Sequence, residues 1–99
     1  MRRSYACRKD GNQNAIMNAL RKIGVRVKDT SRAGDGFPDM VCFYRGYTTL
    51  AEVKNGKHGP VQKHLSQDQI DFHDEAIAAG VVIPIWNTVG DALKYFGAH

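Results

Sequence analysis

Residues 37–54 read Phe37-Pro38-Asp39-Met40-Val41-Cys42-Phe43-Tyr44-Arg45-Gly46-Tyr47-Thr48-Thr49-Leu50-Ala51-Glu52-Val53-Lys54. Met40 to Tyr44 is an apolar, β-branched and aromatic run that predicts a strand, and Tyr47 to Lys54 predicts a second. Arg45-Gly46 between them has the length of a tight hairpin turn, although Asn-Gly would be the stronger signal. If that turn holds two residues, Tyr44 faces Tyr47 and Asp39 falls opposite Glu52. Opposed residues on antiparallel strands share a face, with Cβ atoms roughly 4.5–5.5 Å apart. Lys54, two residues beyond Glu52, points to the same face. A three-residue loop would instead set Asp39 against Ala51 or Val53. A separate reading makes Asp39 a turn residue after Pro38 and Glu52 and Lys54 a solvated surface pair. Both strands carry apolar residues on both faces, so the hairpin calls for cover on each side, by helices or by a partner chain.

The flanking sequence supplies helices. Upstream, Ala15, Ile16, Ala19, Leu20 and Ile23 recur at helical spacing from about Asn12, and Gly24 stops the run. Val25-Arg26-Val27 reads as a short strand, and Thr30 to Gly36 as a loop. Downstream, Asn55 to Leu65 is a polar, basic loop. Ser66 and Gln69 form a Ser-x-x-Gln capping box, and Ile70, Phe72, His73 and Ile77 continue at helical spacing to Gly80. Val81 to Trp86 predicts a strand at a sheet edge or strand end, because Pro84 lacks a ladder donor. Thr88 with Asp91 opens a last helix through Ala92, Leu93 and Phe96. The predicted order is α-β-β-β-α-β-α, a mixed α/β fold.

The chain has 99 residues, which predicts one domain over 1–99 with a basic N-terminal arm over 1–11 that holds Arg2, Arg3, Arg8 and Lys9. A core this small favours pairing with a second copy. The net charge is +4, which favours a polyanionic partner over a purely solvating role. Cys7 and Cys42 are too few for a disulfide framework and lack zinc-ligand spacing, as do His58, His64, His73 and His99. Cys42, inside an apolar run, reads as a small buried hydrophobe. No signal-peptide or membrane-spanning stretch is present, so the expected setting is soluble, intracellular and cytoplasmic, without a membrane.

Two carboxylates facing one another repel unless something positive lies between them. Lys54 supplies one charge. A hard cation such as Mg2+ would supply more, since it binds one or two carboxylates together with waters and phosphate oxygens. Such an ion activates water and steadies charge on a phosphoryl group, and Lys54 would orient the water or neutralise the growing charge.

Pro38-Asp39, twelve residues, then Glu52-Val53-Lys54 resembles the pattern of the PD-(D/E)xK nuclease superfamily. The wider context, GFPDM, LAEVKNGK, LSQDQIDFH, AAG and VVIPIW, is similar to the small VRR-NUC domain, over Asn12 to Leu93. The resemblance implies a restriction-endonuclease-like core and Mg2+- or Mn2+-dependent hydrolysis of DNA phosphodiesters. It further implies selectivity for branched DNA, including four-way (Holliday) junctions, by a homodimer. Asp39, Glu52 and the backbone carbonyl of Val53 would bind metal, and Lys54 would be the catalytic lysine. Gln69 has two readings, as the capping residue and as a polar group at the site rim. Relatives often carry a Glu on the first helix, where this chain has Gln13 or Asn14. Arg32, Lys57 and Lys63 are the candidate phosphate contacts. The alternative function is a non-catalytic nucleic-acid-binding module on the same fold.

Overall fold

The structure is a computed structural model that describes residues 11–54 and 65–97. Its elements run α1 (Gly11–Lys22), β1 (Arg26–Asp29), β2 (Met40–Tyr44), β3 (Tyr47–Val53), α2 (Gln67–Ala78), β4 (Ile85–Trp86) and α3 (Val89–Tyr95). This is the predicted order, built on one four-stranded mixed sheet in the order β1-β2-β3-β4. The β1–β2 and β2–β3 pairs are antiparallel, and β4 runs parallel to β3.

The hairpin has the two-residue turn. Tyr44 pairs with Tyr47 and Met40 with Ala51. Arg45 and Gly46 both take left-handed backbone angles, φ 49 and 87, as a type I′ turn requires. The turn therefore fixes the register, and the register decides which side chains share a face.

One face of the sheet carries Val27, Met40, Cys42, Ala51 and Val53, all buried. They pack with Ile16, Met17 and Leu20 of α1, with Trp86, and with Ala92 of α3. The Cys42 thiol is fully buried there, as expected of an apolar residue, and desolvation pushes its pKa up to about 11. Trp86 and the half-buried Tyr44 each make edge-to-face contact with Phe96 of the segment closing α3.

The opposite face presents three cross-strand rows. Arg26, Phe43 and Thr48 form the first, and Lys28, Val41 and Leu50 the second. The third holds Asp39 and Glu52, one step beyond the Met40–Ala51 pair, and begins where Thr30 N–H donates to the Asp39 carbonyl. Cover on this side is partial. The capping-box helix α2 lies over the third row, but none of its residues is buried, and Ile77 is exposed. Within the single chain, cover is complete on the α1–α3 face and partial on the α2 face.

Two strands differ from expectation. β1 is shifted to Arg26–Asp29, because Val25 closes the helix end by donating to the Leu20 carbonyl. Only Ile85–Trp86 of the predicted 81–86 strand forms a ladder. Pro84 has no N–H to give, and its carbonyl accepts from Glu52 N–H at 3.0 Å, so pairing starts only there.

Candidate functional site

Asp39 is positioned by its backbone. Its N–H donates to the Ala51 carbonyl at 3.0 Å, and its carbonyl accepts from Thr30 N–H at 2.9 Å. The buried Gln13 side chain of α1 also donates to that carbonyl, at 3.4 Å, and to the Asp29 carboxylate at 3.3 Å. Beyond the strand end, Val53 N–H has no backbone acceptor on β2 and donates to Asp39 Oδ2 at 2.8 Å instead. The carboxylate is thus held at the edge of the sheet, above the last residues of β3.

Glu52 lies fully buried on the adjacent strand. Its Oε1 accepts from Gln69 Nε2 at 3.3 Å, and its Oε2 lies 3.2 Å from His73 Nε2. Burial pushes its carboxyl pKa up to about 8, assisted by the charge of Asp39 and a hydrogen bond to that side chain, while Lys54 opposes the shift. His73 moves the other way. Desolvation lowers its pKa, with Lys54 adding to the effect and Asp74 opposing it. An imidazole whose charged form is disfavoured serves Glu52 as a neutral hydrogen-bond partner.

Gln69 joins the parts of the site. Its Oε1 accepts from Ser66 N–H at 2.8 Å, closing the capping box, and also from Lys54 Nζ at 3.2 Å. Its amide nitrogen donates to Glu52. Gln69 is therefore the capping residue and, in the same conformation, the neighbour of Lys54 and Glu52 at the pocket. Lys54 donates to this amide rather than to a carboxylate. Asp39, Lys54 and Gln69 line an open pocket of about 500 Å³, with Ser31, Gly36 and Phe37 from the 30–37 loop.

Of the predicted site residues, the fold brings together Asp39, Glu52, Val53, Lys54 and Gln69. Gln13 reaches the Asp39 backbone but holds its carbonyl, not its carboxylate. Asn14 is exposed one position along α1, and Arg32 is exposed in the 30–37 loop without lining the pocket. Lys57 and Lys63, with the N-terminal arm, His58 and His64, lie outside the described residues. His73 is the residue that sequence reasoning missed. Its signal was its place four residues after Gln69, which sets both on one side of α2.

As a donor set, the site offers two carboxylates on adjacent strands. The Val53 carbonyl leaves β3 on the same edge as its N–H, because a strand residue presents both groups to one neighbour. These are hard oxygen donors suited to a small divalent cation that keeps several waters. The raised Glu52 pKa reflects burial first and the neighbouring Asp39 charge second, so a cation placed between the two carboxylates would favour the ionised form. Among the described residues no group of three His, Cys, Asp or Glu side chains converges as a metal cage, so a cation here would rely on backbone, water and substrate oxygens as well.

No family model, no curated protein and no solved structure matches the chain.

Proposed function

We propose that this chain is a Mg2+- or Mn2+-dependent endonuclease that hydrolyses DNA phosphodiester bonds, on a restriction-endonuclease-like core of the VRR-NUC kind. The observation that carries this reading is Asp39 and the fully buried Glu52 opposed on one sheet face, with Asp39 and Lys54 lining an open pocket in front of them. A divalent ion held by Asp39, Glu52 and the Val53 carbonyl would lower the pKa of a bound water and polarise the phosphoryl oxygens. The chain's own groups do the rest. Val53 N–H fixes the rotamer of Asp39, while Gln69 and His73 fix that of Glu52. The Lys54 ammonium, steered by Gln69, aligns the attacking water or offsets negative charge as the new P–O bond forms and the ester P–O bond breaks. The attacking water gives up a proton to solvent, and the departing oxygen takes one from solvent.

Branched DNA is the proposed substrate, and a homodimer the proposed assembly, since two-fold symmetry suits a junction with paired arms. Ile77, Val81 and Val82 are exposed on and just after α2 and supply an apolar surface for self-association. Light scattering at micromolar concentration tests this, and a monomeric mass would count against it. Among the described residues no helix is long and apolar enough to cross a membrane.

Incubation with four-way, flapped and linear DNA, with Mg2+ or Mn2+ and with EDTA, tests the activity. Cleavage that needs metal and is lost in Asp39→Ala is expected; wild-type protein that cuts none of these, or an active Asp39→Ala, would sink the reading. One observation favours the alternative of a non-catalytic nucleic-acid-binding module. The first-helix position is a neutral amide already committed to Asp29 and the Asp39 carbonyl. Junction binding without turnover in Mn2+ would select that alternative.

A further inference from the structure

Far from Asp39 along the same sheet face, the first cross-strand row ends in a groove with its own chemistry. Two adjoining clefts of about 500 and 440 Å³ share Gly24, Arg26 and Phe43. Arg21 and Lys28 line one, and Arg45 and Tyr47 the other. Their described linings contain four cations and no carboxylate. The cations are spread over three elements, the end of α1, β1 and the hairpin tip. Arg21 is tethered, its Nη2 donating to the Val27 carbonyl at 3.0 Å, and the Arg45 guanidinium rests 5.0 Å from the Tyr44 ring centroid. One aromatic ring lies open beside these charges on this face, Phe43 at 44% exposed, and Tyr47, from the other side of the hairpin tip, lines the second cleft at 77% exposed.

A row of cations attracts any polyanion, but cations alternating with open aromatic faces fit a narrower class. Arginine and lysine track a phosphate backbone, while each ring offers a stacking surface to a base of any sequence. Bases in a duplex are already stacked and present only their edges, so an exposed ring gains a stacking partner only from an unstacked base. We propose that this groove binds a nucleic-acid single strand, with phosphates on Arg26, Lys28 and Arg45 and an unstacked base on Phe43. Phe43 lies four strand residues from Asp39, or roughly 13 Å. The groove is thus a separate site, and its assignment does not depend on cleavage at Asp39.

Anisotropy of a fluorescein-labelled fifteen-nucleotide oligothymidine in EDTA tests it, with the full chain and no metal to allow turnover. Expected are tighter binding of the single strand than of a duplex of equal length and a strong loss with salt. In Arg26→Glu/Lys28→Glu, affinity should fall at least tenfold, and the slope of log affinity on log salt should become shallower by about 1.4, the release expected of two lost single-strand phosphate contacts. Phe43→Ala should cost about 5- to 150-fold, the range for one stacked base. Circular dichroism checks the fold of each variant, and Lys94→Glu, an exposed reversal on α3, controls for net charge. Binding by Arg26→Glu/Lys28→Glu as tight as by Lys94→Glu would overturn the proposal. So would a silent Phe43→Ala with equal affinity for duplex, or capture of phosphatidylserine vesicles through Arg26 without affinity for the oligonucleotide. Loss of cleavage with binding intact would instead count against the metal site alone.

Discussion

Glu52 is the residue on which the site turns, because a fully buried carboxyl faces a second carboxyl across two strands. Its pKa is raised to about 8 from an ordinary 4.5, so between those values the folded chain binds a proton that the unfolded chain does not. The contribution of Glu52 to stability without metal is then fully present below about pH 4.5 and is lost as pH rises through 8, while the lowered His73 pKa works the opposite way, its contribution lost as pH falls through the folded value. Chemical denaturation from pH 5 to 9 should show a fall on the order of a few kcal/mol. Glu52→Gln should flatten that fall and raise stability above pH 8, since a neutral amide keeps the Gln69 and His73 contacts without the buried charge. A steady or rising profile in the wild type would mean that Glu52 ionises freely. The pairing of Asp39 with Glu52 was legible in the sequence, because a two-residue turn and strict alternation determine which side chains share a face. His73 was not. Its role depends on how α2 crosses the sheet, and periodicity within a helix says nothing about the crossing.

At the scale of elements, the hairpin and the capped helix deliver the site, and each rests on local chemistry. Arg45 occupies a left-handed conformation that a long side chain tolerates poorly. Arg45→Asn should therefore stabilise the fold by about 0.5–1 kcal/mol by thermal melt, as Asn-Gly favours this turn; it also removes one cation of the proposed groove, so its effect on DNA binding is read separately. In α2, Ser66 accepts from Gln69 N–H at 3.2 Å, and Ser66→Ala should cost about 1 kcal/mol. Because Gln69 also holds Lys54 and Glu52, cleavage should fall more than stability implies. An activity loss no larger than the loss of folded protein would confine Gln69 to capping. Gly36 makes the tightest approach. It has φ 77, and a Cβ there would press into the Asp68 carbonyl at the start of α2. Gly36→Ala should separate the 30–37 loop from α2 and destabilise by about 1–3 kcal/mol, since neither backbone can yield. The glycine was legible as a loop marker, but its contact with α2 spans more than thirty residues of sequence and carries no local signal. The strand over 81–86 shrank for a reason visible in retrospect, as Pro84 delays the ladder to the last two residues.

For the whole molecule, one well-filled layer sits beneath the sheet and a polar, partly covered one above it. The lower layer matches its hydrophobic pattern closely, and Ile16 and Leu20, both fully buried, are where truncation to Ala should cost about 2–5 kcal/mol. The upper layer departs from the simple rule that apolar strands are covered, because its third row is given to Asp39 and Glu52 and its first to Arg26, the open Phe43 ring and Thr48. A chain that places repelling carboxylates in the folded state and brings them together only there should be stabilised by whatever neutralises them. A cation that binds the folded form alone contributes RT ln(1 + [L]/Kd), about 1.4 kcal/mol at ten times Kd. For a domain this size that amounts to a rise in Tm of about 6–11 °C. Calorimetry with Mn2+ added to metal-free protein should show this rise, larger at pH 8 than at pH 6, because at pH 6 the ion must displace the proton held by Glu52. Asp39→Ala should abolish the rise while retaining a cooperative melt. An equal rise in that variant would place the cation elsewhere, and an absent rise in the wild type at millimolar Mn2+ would mean that proton and lysine alone balance the pair.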